Sequence, residues 1–350
     1  MLQSVKNFIK KNLLPTAKLA KKKIDKQLFL INGSAQLDFE FETLPPIDKG
    51  VSIDEIVKGL DIPEGLPYNL QEKLAFFEKN GYVVLEQIIK HEDLDKVWEE
   101  IDDVFHHNEK YEIEAIAHRF NNQALTPVSK IPKEKINGIG SRLNDFHECS
   151  VKTQKLSSNP FLRVFLEGAL EKHIAVFQSL VFKYSSQQAI HQDFPWVTSP
   201  IPSHLAAAWI PFEDVHPDSG PLVYYPGSHR MPKFDFGKTG ILYKHGQSLM
   251  DSEKDFTPYL EKTLKKHNYN GEILLIKKGD VLIWHGALVH GGTPIKDPNK
   301  TRKSLVVHYS SAKGLPNHRY APTPKNEFDT INNVRFYHNN QLPHLKNIFK

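Results

Sequence analysis

His191 and Asp193 stand two residues apart at the end of the stretch IAVFQSLVFKYSSQQAIHQDFPW, residues 174–196. The stretch reads as a β-run, a polar turn and a second short strand. On an extended backbone, residues i and i+2 point to the same side. An imidazole and a carboxylate side by side at a strand end can hold a divalent metal. They make two thirds of a 2-His-1-carboxylate facial triad, the usual non-haem Fe(II) site with positions left open for other ligands.

The spacing alone does not select this pair. With 18 His and 41 acidic residues in 350 positions, chance supplies about two His-x-Asp/Glu pairs. Four occur: His91/Asp93, His107/Glu109, His191/Asp193 and His216/Asp218. The first two lie in a charged, helical segment, where i,i+2 side chains do not face each other. His216 opens a turn-like His-Pro-Asp-Ser-Gly run. Only His191/Asp193 ends an apolar β-run and is followed by bulky residues, Phe194-Pro195-Trp196, that would wall a cavity.

A third ligand has two candidates in residues 281–292, VLIWHGALVHGG: His285 and His290. His290 precedes two glycines, which let the backbone pass close to a bound group. Twelve residues later Arg302 begins a further apolar run, on which Arg302, Ser304, Val306 and His308 share a face. A buried arginine needs an anionic partner, and its planar fork suits a carboxylate. A metal triad with such an arginine is the equipment of an Fe(II)- and 2-oxoglutarate-dependent oxygenase, with O₂ as the other co-substrate. Trp196, Tyr225, His229 and Trp284 are candidates to line the substrate cavity, and Lys183 and Gln188 are further co-substrate candidates.

The elements that must position these residues are mostly strands. Short apolar runs at 205–212, 222–225, 273–276, 281–284 and 304–309 are bounded by Gly, Pro, Asp or Ser. Many short strands separated by turn signals predict a mainly β jelly roll or sandwich. Helical patterns precede them, from 70 to 105 around a short strand at 82–85, and at 162–170. Residues 107–140 read as loops. A polar insertion at 231–270, helical over 258–267, has the length of a lid or binding loop.

In order and spacing these segments resemble the phytanoyl-CoA dioxygenase family. The likeness rests on His191-Gln192-Asp193, residues 208–215 (AWIPFEDV) followed by 219–222 (SGPL), the turn 226–229 (PGSH), residues 279–283 (GDVLI), and His290 with Arg302. Residues 81–84 (GYVV) and 142–145 (RLND) fit the same pattern, and the likeness spans about 70–312. It implies a double-stranded β-helix, a cupin-like jelly roll with flanking N-terminal helices, that binds Fe(II) through His191, Asp193 and His290. Arg302 would pair with the distal carboxylate of 2-oxoglutarate. Trp209, Gln192 and His308 match residues around the co-substrate. The implied reaction consumes O₂, releases succinate and CO₂, and hydroxylates a small-molecule or lipid- or sugar-type substrate. Family members often carry Ser two residues after the distal His; here Gly292 stands there and Thr293 follows. Alternatives are a non-oxidative lyase or isomerase on the same fold, and a non-catalytic binding protein.

Composition sets the remaining bounds. The chain is 39% apolar and 25% charged, ordinary for a soluble protein of one large domain or two small ones. No run is long and apolar enough to span a bilayer. One cysteine, Cys149, excludes an internal disulfide framework and fits a reducing, cytoplasmic setting; no secretory signal is visible. Residues 1–30 hold eight lysines against Asp25, a net +7 within an overall +4. The remainder is therefore acidic, and nucleic acid is not an expected partner. Leu2, Val5, Ile9 and Leu13 form an apolar stripe before Pro15, so this basic helical arm is a candidate for peripheral contact with an anionic membrane. The expected organisation is an arm (1–30), a linker-like segment (31–68), the oxygenase domain (69–312) and a C-terminal tail (313–350). Nothing in the sequence fixes an oligomeric state.

Overall fold

The computed structural model describes residues 14–32, 36–196, 201–314, 328–337 and 348–349. The stripe from Leu2 to Leu13 lies outside them. Within the described residues helix α1 spans Leu14–Asn32 and includes Pro15.

Residues 36–68 are packed chain. They hold helix α2 (Ile53–Lys58) and bury Ile47 and Val57. Helix α3 (Leu70–Asn80) starts where the Asn69 side chain accepts from Glu72 N at 3.2 Å. It stops at Gly81, whose φ of 76° is left-handed. A Cβ there would fall 2.4 Å from His229 Nδ1, so both conformation and space demand glycine. Helix α4 (His91–His106) buries Leu94, Val97, Ile101, Val104 and Phe105 on one face. Residues 107–140, expected as loops, include strands β2 (Glu114–Ile116) and β3 (Thr126–Pro127) and helix α5 (Lys133–Ile136). Their apolar runs are too short to show a period. Helices α6 (Val151–Ser157) and α7 (Pro160–Ala169) follow, and α7 is buried along nearly its whole length.

The strands form a jelly roll of two facing sheets. Among the described residues the larger has ten strands. Its central path joins β1 (Tyr82–Leu85), β9 (Val281–His285), β6 (Ala206–Pro211), β11 (Ser304–Ser311), β5 (Ile174–Phe182) and β4 (Arg142–Asn144), then β2 and β3. The smaller sheet joins β10 (His290–Gly292), β7 (Leu222–Tyr224) and β8 (Glu272–Ile273). Between the sheets lie Phe182, Trp209, Leu282, Trp284 and Val306, a separate apolar cluster from the one under the helices. Strands β12 (Phe328–Ile331) and β13 (Val334–Tyr337) come from the tail; they pair antiparallel with each other, and β13 joins β5 in parallel.

The insertion carries helix α8 (Thr257–Lys266) and an aromatic cluster of Phe234, Phe236 and Phe256 with Tyr243 and Tyr259. Tyr243 N donates to Pro195 O at 2.8 Å, and its ring lies 4.9 Å from Trp196. The insertion thereby fixes the segment that follows Asp193. Its outer side meets α1 through Lys26–Asp255 at 2.6 Å and Lys238–Asp25 at 2.8 Å.

Candidate metal centre and co-substrate pocket

A single antiparallel bridge assembles the centre. His191 N donates to His290 O at 2.8 Å and His290 N to His191 O at 3.0 Å. The expected second strand is this one bridge and no more. Gly291 and Gly292 make it feasible, since a Cβ on either would lie 3.1 Å from the backbone of residues 187–190. The glycines thus let two ligand-bearing segments come close, and both also line the cavity beside the donors.

Among the described residues one set of donors converges, His191, Asp193 and His290, with ligand atoms all within 4.8 Å of one another. His191 Nδ1 donates to Ala189 O at 2.8 Å, and His290 Nδ1 to Leu288 O at 3.0 Å. A carbonyl only accepts, so each Nδ1 carries the proton and each Nε2 presents a lone pair. Both Nε2 atoms face Asp193 Oδ1, at 3.5 and 3.7 Å. Three lone pairs pointed at one spot fit a cation, and two imidazoles with one carboxylate fit Fe(II). Burial alone would raise the Asp193 pKa, but the surrounding His290, His191 and His308 hold it well below the carboxylate range. Burial pushes His290 down to about 4, so it is neutral and free to ligate at neutral pH.

His285 is not part of the set. It follows Trp284 on β9, so its side chain leaves on the opposite face. There Ala287 N donates to its Nδ1 at 2.9 Å and its Nε2 lies 3.3 Å from Asp48 Oδ2.

The donors open into a cavity of about 480 Å³ between the sheets. Arg302, 3% exposed, reaches it from just ahead of β11. Its Nη1 donates to Gly220 O at 2.9 Å, its Nε has no partner, and no described carboxylate pairs with it. Burial pushes its pKa down to about 10. Trp209, paired with Val306 across β6 and β11, lies under the guanidinium with 5.6 Å from Cζ to the ring. His308 and Trp284 line the same space, as do Gln188 and Trp196, the last 39% exposed.

Other expected contacts are absent from the cavity lining. Gln192, between two ligands, points to the other face and donates to Ala287 O at 2.5 Å. It ties the bridge to the β9–β10 loop. Tyr225 packs on the insertion's aromatic cluster. His229 is buried against Glu78 O, 3.1 Å away, and the His285 ring. Lys183 donates to Asn137 Oδ1 at 2.9 Å. The Thr293 hydroxyl is spent on Pro221 O at 2.8 Å, so it does not stand in for the family serine.

Two contributions escape a reading by alternation. The pairing of β11 with β5 slips between His308 and Tyr309, from Gln178 to Val176, leaving Phe177 without a partner. Such a bulge breaks the period of two, and the adjacent Phe177 and Gln178 both line the cavity. Arg142 also lines it, with a buried, unpartnered Nε and no ion pair among the described residues. It opens the run 142–145 (RLND), to which the sequence assigns no separate role.

A double-stranded β-helix with three metal donors and an unpaired buried arginine defines the class of 2-oxoglutarate-dependent oxygenases. Comparison with known proteins agrees. The sequence profile of the phytanoyl-CoA dioxygenase family matches residues 77–304, and the chain belongs to that family. Peroxisomal phytanoyl-CoA dioxygenase of Bos taurus is 22% identical over 255 residues, 69% of this chain and 68% of the relative. Phytanoyl-CoA dioxygenase 1 of Oryza sativa subsp. japonica is 26% identical over 269 residues, 69% of this chain and 89% of the relative. Among solved structures, the non-haem alpha-ketoglutarate-dependent epimerase SnoN from nogalamycin biosynthesis superposes with a TM-score of 0.54 at 16% identity, covering 77% of this chain and 97% of that one. EctD from S. alaskensis, with 2-oxoglutarate and 5-hydroxyectoine, gives 0.52 at 16% identity, covering 74% and 81%. The protein is an iron- and 2-oxoglutarate-dependent dioxygenase.

Proposed function

We propose that this oxygenase hydroxylates a small-molecule substrate, with His191, Asp193 and His290 as the iron ligands and Arg302 as the anchor for the distal carboxylate of 2-oxoglutarate. One observation carries the assignment: a buried arginine without a counter-ion opens into the same cavity as the three converging donors. Bound there, iron supplies the oxidising chemistry that uses O₂ and 2-oxoglutarate to functionalise a C–H bond, with succinate and CO₂ released.

The chain's own residues supply charge, orientation and dryness. Arg302 provides a two-pronged cation for one end of a dicarboxylate. Arg142 brings to the cavity a second guanidinium suited to the other end, with its Nε unpartnered and the Asp145 charge nearby. Trp209, Phe182, Val306 and Leu222 line the cavity with apolar surface, which strengthens both pairings by excluding water. Trp196 stands half out of the cavity and marks the side on which substrate enters.

The test is anaerobic addition of 2-oxoglutarate to the Fe(II) protein, followed by metal-to-ligand charge-transfer absorbance, then a metabolite screen for stimulated succinate formation. Failure of the unaltered protein to bind 2-oxoglutarate would remove the reading. In the ligand set, His290→Ala abolishes the absorbance and His285→Ala retains it; the reverse pattern would move the third ligand.

Peripheral membrane contact through residues 1–30 is part of the same proposal. Among the described residues no helix is long and apolar enough to cross a membrane. On α1, Asp25 and Lys26 engage the insertion, while Ile24 and Leu28 are 60% and 53% exposed beside Lys21 and Lys23. Each lysine near an anionic surface contributes about 1 kcal/mol. Removal of residues 1–30 is expected to release the protein from anionic vesicles at low salt; a full-length chain that does not sediment with them would make the arm merely structural.

A further inference from the structure

Only one oxygen of Asp193, Oδ1, faces the two ligand histidines. The other, Oδ2, accepts a 2.7 Å hydrogen bond from Trp284 Nε1, and His308 Nε2 lies 3.7 Å from it. An indole N–H donates and never accepts, and a bond from it to an ionised carboxylate is charge-assisted and strong. The donor cannot follow the carboxylate if it turns. Trp284 sits mid-sheet, paired with Tyr82 on β1 and Ala207 on β6, and its ring lies 4.8 Å from that of His290. The backbone is held as well: Asp193 N donates to Gly286 O at 2.9 Å, two residues beyond Trp284.

A carboxylate binds a metal through one oxygen or through both. Two-oxygen binding would occupy a coordination position that the co-substrates require. We propose that Trp284 is a positioning residue whose indole N–H holds Asp193 to one-oxygen ligation and so keeps the open face of the metal open. The proposal rests on His191, Asp193 and His290 being the ligands. It adds to the expectation that Trp284 lines the cavity: the ring does so, and its one polar atom is committed to Asp193. His308 closes the far side of Oδ2 from β11, the strand that Arg302 precedes.

Trp284→Phe keeps the ring and removes the N–H. Co(II), added anaerobically to the purified full-length protein, reports affinity by titration and coordination by its visible spectrum. Outer-shell partners of metal ligands typically contribute 10- to 100-fold to affinity. The variant is expected to bind Co(II) about tenfold or more weakly, with an altered visible spectrum and a smaller spectral response to 2-oxoglutarate, while still unfolding cooperatively when metal-free. Wild-type affinity and spectrum in Trp284→Phe would overturn the positioning role while leaving the ligand set intact. Absence of Co(II) uptake by the unaltered protein would overturn the ligand set and the proposal with it. If the variant does not fold, the unaltered protein still decides, because it holds only four tryptophans. One ¹⁵N-indole signal, distinct from that of Trp209 as assigned in Trp209→Phe, is expected to be protected from hydrogen exchange and to move on addition of Zn(II). Rapid exchange of all the others, or no response to Zn(II), would overturn it.

Discussion

Two arginines are buried in different regions of this protein, and their surroundings are opposite. Arg163, on α7 in the helical layer, has Nη1 2.7 Å from Glu167 Oε2 one turn along. It also donates to Asp61 O at 3.2 Å, with the Asp61 carboxylate 3.8 Å away. Arg302, between the sheets, has one carbonyl hydrogen bond and no described carboxylate. Both guanidiniums have left water. The first brought its anion with it in the chain, and the second is completed by a ligand. Even the completed pair is close to balance: burial outweighs Arg163 and raises the Glu167 carboxyl above its ordinary range, as expected when desolvation rivals attraction. An unpaired buried cation is therefore the costlier state, and the fold keeps it only where the cavity admits a counter-charge.

The largest expected effect breaks the functional side of this contrast. Losing one partner of a buried charge pair costs about 2–5 kcal/mol, and each 1.4 kcal/mol is about tenfold. Arg302→Ala is therefore expected to raise the 2-oxoglutarate requirement by roughly thirty-fold or more, with Fe(II) affinity in the absence of co-substrate much less affected. Arg302→Lys recovers part of the loss, because an ammonium lacks the fork. Equal 2-oxoglutarate affinity in the wild type and Arg302→Ala would place the anchor elsewhere.

Stability measurements sharpen the other side. Glu167→Ala removes the hydrogen-bond partner of Arg163 Nη1 and is expected to destabilise by about 2 kcal/mol, read from denaturant midpoints. Arg302→Met removes a stranded cation and is expected to leave the co-substrate-free protein as stable as wild type or more so, by about 1 kcal/mol. Added 2-oxoglutarate raises the unfolding temperature of the metal-loaded wild type and not of that variant. If both substitutions destabilised equally, the two arginines would be structural alike.

The smallest effect concerns Asp48. Burial would raise its pKa, but the neighbouring His285, His229 and Arg230 bring it below the ordinary carboxylate value. A depressed folded pKa contributes stability above the unfolded value, and that contribution is lost as pH falls through the folded one. Asp48→Asn is expected to cost about 1 kcal/mol or less at neutral pH and to flatten the acid limb of a stability–pH curve below the carboxylate range. An unchanged acid limb would show that the Asp48–His285 contact contributes nothing.

The sequence by itself determined what local chemistry determines. The i,i+2 spacing of His191 and Asp193 set two ligands on one side, the short apolar runs set the strands, and Arg302 stood out as a cation approaching an apolar face. Residue order and spacing also carried the family likeness. Other features depended on which segments meet. His285 and His290 are chemically equal in the chain; the face of β9 sends His285 to Asp48, and the bridge brings His290 to His191. Gln192 shares a triplet with two ligands yet faces away from them. Phe177 enters the cavity through a bulge defined by its partner strand, and Trp284 finds Asp193 across 91 residues of sequence. Side-chain type and spacing are local properties, legible in one dimension. The direction of a side chain at a bulge, and the partner waiting across a sheet, are set by non-local hydrogen bonding and packing, which only the tertiary structure decides.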